Sequence, residues 1–308
     1  MRILALDGGG IRGYLTALLL DRLEKERPGF TARFDFIAGT STGSIIALGL
    51  AAELPIATLV TLYERNAPRI FETTFRERLR DANGLVGPRY SAHRLTAVLR
   101  NVFGDRRLGE LSRPVLVPAF RLDDGRADPT RRRWRPELFH NFPGGTGSPS
   151  LLARSAALYS STVPAIFAPT DGYVDGGVFA ANPTLCAVML TQDPAIDGDH
   201  SALADLRVLS VGTGLASLRI GIEAREWGLA RWARPMLGMM LDSGVEMVDY
   251  HCRLLLGDRY HRLNPWIEGD PIRLDDIEAF PRLAEVAAAA DLRSTLAWLD
   301  AVPEPSPS

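Results

Sequence analysis

Apolar positions near the start of the chain fall in short unbroken runs separated by stretches with helical spacing. Ile3–Leu6 has the continuous apolar character of a strand buried on both faces. Leu15, Leu18, Leu19 and Leu23 recur at helical intervals, and Pro28-Gly29 ends the helix they predict. Phe34–Ala38 predicts a second strand and Ile45–Ala52 a second helix. This alternation predicts an α/β fold: a mainly parallel central sheet with helices on both faces. Residues 56–103 read mostly as helix, broken around Asn83-Gly84 and Gly87-Pro88. Val115–Phe120 predicts a buried strand, residues 121–149 a loop-rich stretch, Leu151–Tyr159 a helix and Leu206–Val211 a strand.

One later stretch carries a helical stripe: Leu229, Trp232, Ala233, Met236, Leu237, Met240 and Leu241. Pro235 lies inside it and predicts a kink or restart. The ordinary reading of such a stripe is core, and the other is a lid or lipid-facing patch.

Composition narrows the chemistry. With 308 residues, 46% hydrophobic and 23% charged, the chain has globular values that exclude disorder, collagen and coiled coil. A formal net charge of −2 gives no global positive field, so no nucleic-acid polymer is expected as a partner. Of the 35 basic residues only Lys25 is a lysine, which removes Schiff-base lysines, Ser-Lys dyads and Walker-type phosphate loops. Cys186 and Cys252 make neither a disulfide framework nor a zinc set. Met1-Arg2 leads straight into a short apolar run and glycines, without a signal core, and Ile45–Val60 contains Glu53 and Pro55. The expected location is therefore cytoplasmic, with peripheral membrane contact as an addition. Arg131-Arg132-Arg133-Trp134-Arg135 reads first as a solvated hairpin end and second as a dock for anionic headgroups.

Two glycine-rich turns and one aspartate carry the candidate chemistry. Gly39-Thr40-Ser41-Thr42-Gly43 fits G-x-S-x-G between a predicted strand and helix, where a sharp turn presents a serine and the helix N-terminus favours a developing oxyanion. Asp7-Gly8-Gly9-Gly10-Ile11-Arg12-Gly13 lies in the same context, and its amides can converge on a negative oxygen. Gly8, Gly10 and Gly13 also satisfy G-x-G-x-x-G. A dinucleotide site wants an acid at the end of the second strand, whereas Asp35 stands at its start. Among His93, His140, His200, His251 and His261, only the last three follow Asp175 as a Ser-Asp-His order requires, and none has a motif around it. Asp175-Gly176-Gly177 follows the β-like Gly172-Tyr173-Val174. Asp175 reads equally as a turn aspartate or as a base whose proton affinity a water-poor pocket would raise.

The three motifs, in this order and strand context, resemble the patatin-like phospholipase family over residues 1 to about 215. Val178-Phe179 and Asn182-Pro183-Thr184 extend the likeness, while Ser44 and Ala181 stand where the family often has glycine and asparagine. The resemblance implies a patatin-like three-layer α/β/α fold and a Ser-Asp dyad without histidine. Ser41 would attack the acyl carbonyl, Asp175 would take its proton, and Gly8, Gly9, Gly10 and Arg12 would form the oxyanion loop. Gly13, Gly39, Gly43, Gly176 and Gly177 support the motifs. It further implies hydrolysis of carboxylic esters of glycerophospholipids or other acyl-ester lipids, of phospholipase A type, with no metal and no cofactor. Two alternatives stand beside it: a defence phospholipase opened by a second messenger, and a non-catalytic lipid-binding protein. Because Ser41 and Asp175 are 134 positions apart yet must touch, residues 1 to about 215 are expected to form one continuous α/β unit on which the remainder packs, so that 1–302 make a single catalytic domain. Its motif-bearing part is 1–215, its C-terminal helical part 216–302, and 303–308 are expected to be a disordered tail.

Overall fold

Side chains alternate across β1 (Arg2–Leu6), so Leu4 and Leu6 join one apolar cluster and Ile3 the cluster on the opposite face. The computed structural model describes residues 1–72, 87–144, 147–196, 201–216, 220–221 and 226–301. After β1 come α1 (Gly13–Glu26), β2 (Phe36–Gly39), α2 (Thr42–Ala51), α3 (Ile56–Ile70) and α4 (Ala92–Phe103). β3 (Val115–Arg121), β4 (Arg135–His140), α5 (Ala153–Ser161) and β5 (Tyr173–Asp175) follow. Then come α6 (Gly177–Ala180), α7 (Thr184–Leu190), β6 (Arg207–Val211), β7 (Leu215–Ala216) and the long α8 (Leu229–Leu256). β8 (Tyr260–Leu263), β9 (Trp266–Ile267), α9 (Phe280–Ala289) and α10 (Arg293–Asp300) complete the order.

The main sheet runs β4-β3-β2-β1-β6-β8, with β5 paired to β3. β3, β2, β1, β6 and β8 are parallel, and β4 and β5 are antiparallel to β3. β7 and β9 form a separate parallel pair. On one face Leu4, Leu6, Ile37, Leu209 and Val211 pack with α1, α3 and α9, and Val115 and Val117 pack with α4 and α5. On the other, Ile3, Phe36, Leu116 and Val208 meet α7 and the C-terminal half of α8. This is the expected α/β arrangement in three layers, driven by strands that are apolar on both faces.

β3 brings the distant motifs together. β2 pairs with it only as far as Leu116, because the chain turns out of the sheet after Gly39. β5 takes up pairing from Ala119, whose partner is Asp175. The aspartate is thus set down beside β3 just beyond the point where β2 ends and the serine turn begins.

Three expectations need correction. The stretch 121–149 contains the strand β4, which carries Pro136 and exposed charges on the sheet edge and so lacks an apolar run. The segment 216–302 is not purely helical: β8 joins the main sheet and carries His261. α8 does not restart at Pro235, which falls in its second turn, where the missing amide removes one backbone bond while later turns continue. Asn83-Gly84, His200 and residues 303–308 lie outside the described residues. Among those described, no helix is long and apolar enough to cross a membrane.

Candidate active site

The serine turn is closed to larger residues by its own backbone. A Cβ at Gly39 would overlap the Gly43 carbonyl, and one at Gly43 would overlap the Leu6 carbonyl at the end of β1. Ser41 therefore sits on a tight corner at the N-terminus of α2, with φ 53° and ψ −125°, a strained conformation for a residue with a side chain. Hydrogen bonds hold it there. Its amide donates to Ser160 Oγ at 2.8 Å, and its carbonyl accepts from the Ser44 hydroxyl at 2.6 Å and the Ser44 amide at 2.9 Å. Ser44, one of the two departures from the family pattern, thus braces the Ser41 corner.

Ser160 has no counterpart in the motifs, yet it joins three elements. Its hydroxyl accepts from Ser41 and donates to the Pro118 carbonyl of β3 at 2.6 Å, and its own carbonyl accepts from the Gly176 amide at 3.4 Å. Ser160→Ala leaves the buried Ser41 amide without an acceptor. The variant is expected to lose about 1–3 kcal/mol of stability in urea denaturation; a loss below about 0.5 kcal/mol would mean that another group takes over the amide.

In the first glycine loop, the Gly8 amide donates to the Ala181 carbonyl at 2.8 Å, while the Gly9 and Gly10 amides find no acceptor among the described residues. Gly10 has φ 58°, and a Cβ there would overlap the Leu274 carbonyl. Asp7 points away from this loop into a buried pair with Arg262 of β8. Arg262 Nη1 donates to Asp7 Oδ1 at 3.0 Å and to Ser210 Oγ at 2.7 Å, and Nη2 donates to Asp7 Oδ2. Burial pushes the Asp7 carboxyl above its ordinary range even against the pull of Arg262. Asp35, the residue a dinucleotide site would need, is bound to Arg2 at the opposite end of β1.

Asp175 ends β5 with 3% of its surface exposed, and Ser41 has 4%. Asp175 Oδ1 accepts from the Gly177 amide at 2.6 Å, whereas Oδ2 is buried with no hydrogen-bond partner among the described residues. Burial pushes the carboxyl up to about 7, opposed by the Ser41 hydroxyl and the Gly177 amide. Ser41 therefore lies close enough to act on the Asp175 carboxyl. Catalytic contacts commonly tighten only when substrate binds.

Ser41 sits where two cavities meet. The first encloses about 690 Å³, part of it open to solvent, and is walled by apolar side chains including Ile45, Ile70, Phe71, Leu95, Ile166 and Phe167. The second encloses about 430 Å³ with solvent and brings together Gly8, Gly9, Gly10, Arg12, Ser41 and Asp175, with Leu241 and Asp242 of α8 beside them. Among the described residues no histidine lines either cavity. His93 is exposed on α4 and His251 on α8, His140 is buried at the end of β4, and His261 contacts Thr295 Oγ1 at 2.9 Å.

The α8 stripe does not form core as the ordinary reading expects. Met236 and Met240 are exposed, with neighbouring Met239 also exposed, while Leu241 lines the second cavity. The side chains of Leu229, Ala233 and Leu237 lie outside the described residues. Trp134 is 71% exposed at the solvated end of the β3–β4 hairpin, where Arg131, Arg132 and Arg135 pair with Asp128, Asp123 and Glu137.

Several proteins are similar to this chain along most of its length. CotR of Bacillus subtilis (strain 168) is 30% identical over 321 residues, covering 95% of this chain and 95% of that protein. A cGAMP-activated phospholipase of Pseudomonas aeruginosa (strain BWHPSA011 / Pa011) is 30% identical, covering 92% of this chain and 83% of that protein. Patatin-like protein 4 of Arabidopsis thaliana is 27% identical, covering 90% of this chain and 79% of that protein. The family described as Patatin-like phospholipase matches residues 4–188, a stretch that contains both Ser41 and Asp175. Since that match takes in more than half of the sequence, the chain belongs to the patatin-like phospholipase family and is a lipid hydrolase.

Proposed function

We propose that the protein is a phospholipase A-type acyl hydrolase that cleaves carboxylic esters of glycerophospholipids through a Ser41–Asp175 dyad. The observation that carries this reading is the buried Asp175 beside Ser41, with one oxygen unpartnered and no histidine on either cavity wall among the described residues. Asp175 takes the Ser41 proton as Oγ attacks the ester carbonyl, and the Gly9 and Gly10 amides receive the oxyanion. Collapse of the tetrahedral adduct expels the lysophospholipid alkoxide, which recovers the proton from Asp175. Asp175 then takes a proton from water, whose oxygen attacks the acyl carbon, and collapse of this second adduct releases the fatty acid as Asp175 returns the proton to Ser41 Oγ. The apolar cavity receives the acyl chain, and burial of each methylene there contributes about 0.8 kcal/mol. Residues 1–302 act as one catalytic unit in this reading, supported by β8, which places Arg262 beneath the glycine loop.

A fluorophosphonate probe is expected to label Ser41, and the unlabelled protein to release fatty acid from phosphatidylcholine vesicles. Labelling at another serine, or no fatty acid released from any phospholipid, would remove the proposal. A second reading, activation by a cyclic dinucleotide, draws support from the likeness to the cGAMP-activated phospholipase. It predicts hydrolysis only with added cGAMP, and equal rates without it would dismiss it.

A further inference from the structure

The catalytic cavity is lined by two charges of opposite sign that do not touch. Arg12 comes from the 3-10 turn that follows the glycine loop, and Asp242 comes from α8. Both are half-buried. Among the described residues neither forms an ion pair within 4.0 Å or a side-chain hydrogen bond, and Arg12 Nε is buried without a partner. They nevertheless feel each other. Burial lowers Arg12 below its ordinary value against the pull of Asp242, and burial raises Asp242 against the pull of Arg12. The adjoining turn of α8 is seated on the catalytic loop, because a Cβ at Gly177 would lie 3.1 Å from Leu241 Cδ2. Asp242 is thus held at the cavity by packing rather than by an ion pair.

A desolvated charge without a contact partner is unfavourable unless a ligand completes it. Two opposite charges on one cavity match a ligand that carries both. We propose that this cavity is a headgroup site for zwitterionic phospholipids, in which Arg12 faces the phosphate and Asp242 takes the ammonium and selects against headgroups that lack it. The inference rests on the phospholipid reading given above. A phosphatidic acid presents only negative charge, so Asp242 repels it, whereas phosphatidylcholine and phosphatidylethanolamine satisfy both residues.

The test uses short-chain phosphatidylethanolamine, phosphatidylcholine and phosphatidic acid with identical acyl chains, each below its micelle concentration, so that no membrane surface potential enters. The wild-type chain is expected to show higher kcat/KM on the two zwitterions. Asp242→Asn is expected to cut the zwitterion-to-phosphatidic-acid ratio by about tenfold, and Asp242→Glu to restore part of it. A purely structural role lowers all three substrates together and leaves the ratio unchanged, which would overturn the inference while the phospholipid reading stands. If the wild-type chain cleaves a p-nitrophenyl ester but none of the three lipids, the phospholipid reading falls and takes the inference with it.

Discussion

Ser41→Ala and Asp175→Asn are each expected to lower kcat on a phospholipid by on the order of 10⁴-fold, and the double variant by no more than either alone. The two residues handle one proton between them, so removing either leaves the other with nothing to do. Asp175 must be ionised to act as base, and its buried carboxyl is pushed up to about 7. The sign follows directly: below that value the base is protonated, so kcat/KM rises with pH toward about 7 and levels off above it. Gln substitutions at His200, His251 and His261 should leave both the rate and this profile in place. Should a histidine variant lose turnover while Asp175→Asn stays active, the dyad is wrong and a triad replaces it.

Arg262→Leu is expected to destabilise the chain by about 3–5 kcal/mol, because it strands Asp7 as an uncompensated buried carboxylate. The Asp7 and Arg262 side chains are only 2% and 5% exposed, so water cannot take over the lost partner. The double change Asp7→Asn with Arg262→Leu should recover part of the loss, since no buried charge then remains. Urea denaturation at neutral pH reads both. The effect should also reach catalysis: Asp7 begins the loop whose Gly9 and Gly10 amides are proposed to receive the oxyanion, and β8 holds it through Arg262. Arg262→Leu with wild-type stability would show that the pair carries no such load.

Neither Arg262 nor Ser160 stands in a motif, and the reason is the same for both. Each meets its partner across a long sequence separation, Arg262 with Asp7 and Ser160 with Ser41, so no local pattern marks it. Polar residues inside apolar stretches were the available signal. Tyr260-His261-Arg262-Leu263 is too polar for an ordinary buried strand, and Ser160-Ser161-Thr162 puts hydroxyls where the helix is buried. β4 escaped for a different reason: an edge strand needs only one apolar face, and its first half is exposed.

What the sequence determined by itself is whatever depends on a few neighbouring residues. The strand–glycine loop–helix of residues 2–26 and the serine elbow of 36–51 are of this kind, since in both the glycines clear the backbone approaches that the turn demands. The order of the three motifs carried the family as well. Tertiary structure alone decided which acid stands beside Ser41, because that depends on β5 taking the edge of β3 where β2 leaves it. It also decided that α8 exposes Met236 and Met240 while aiming Leu241 and Asp242 at the cavity. A helical stripe records that a face is apolar, but which part of that face meets the protein depends on how the helix is seated across distant loops.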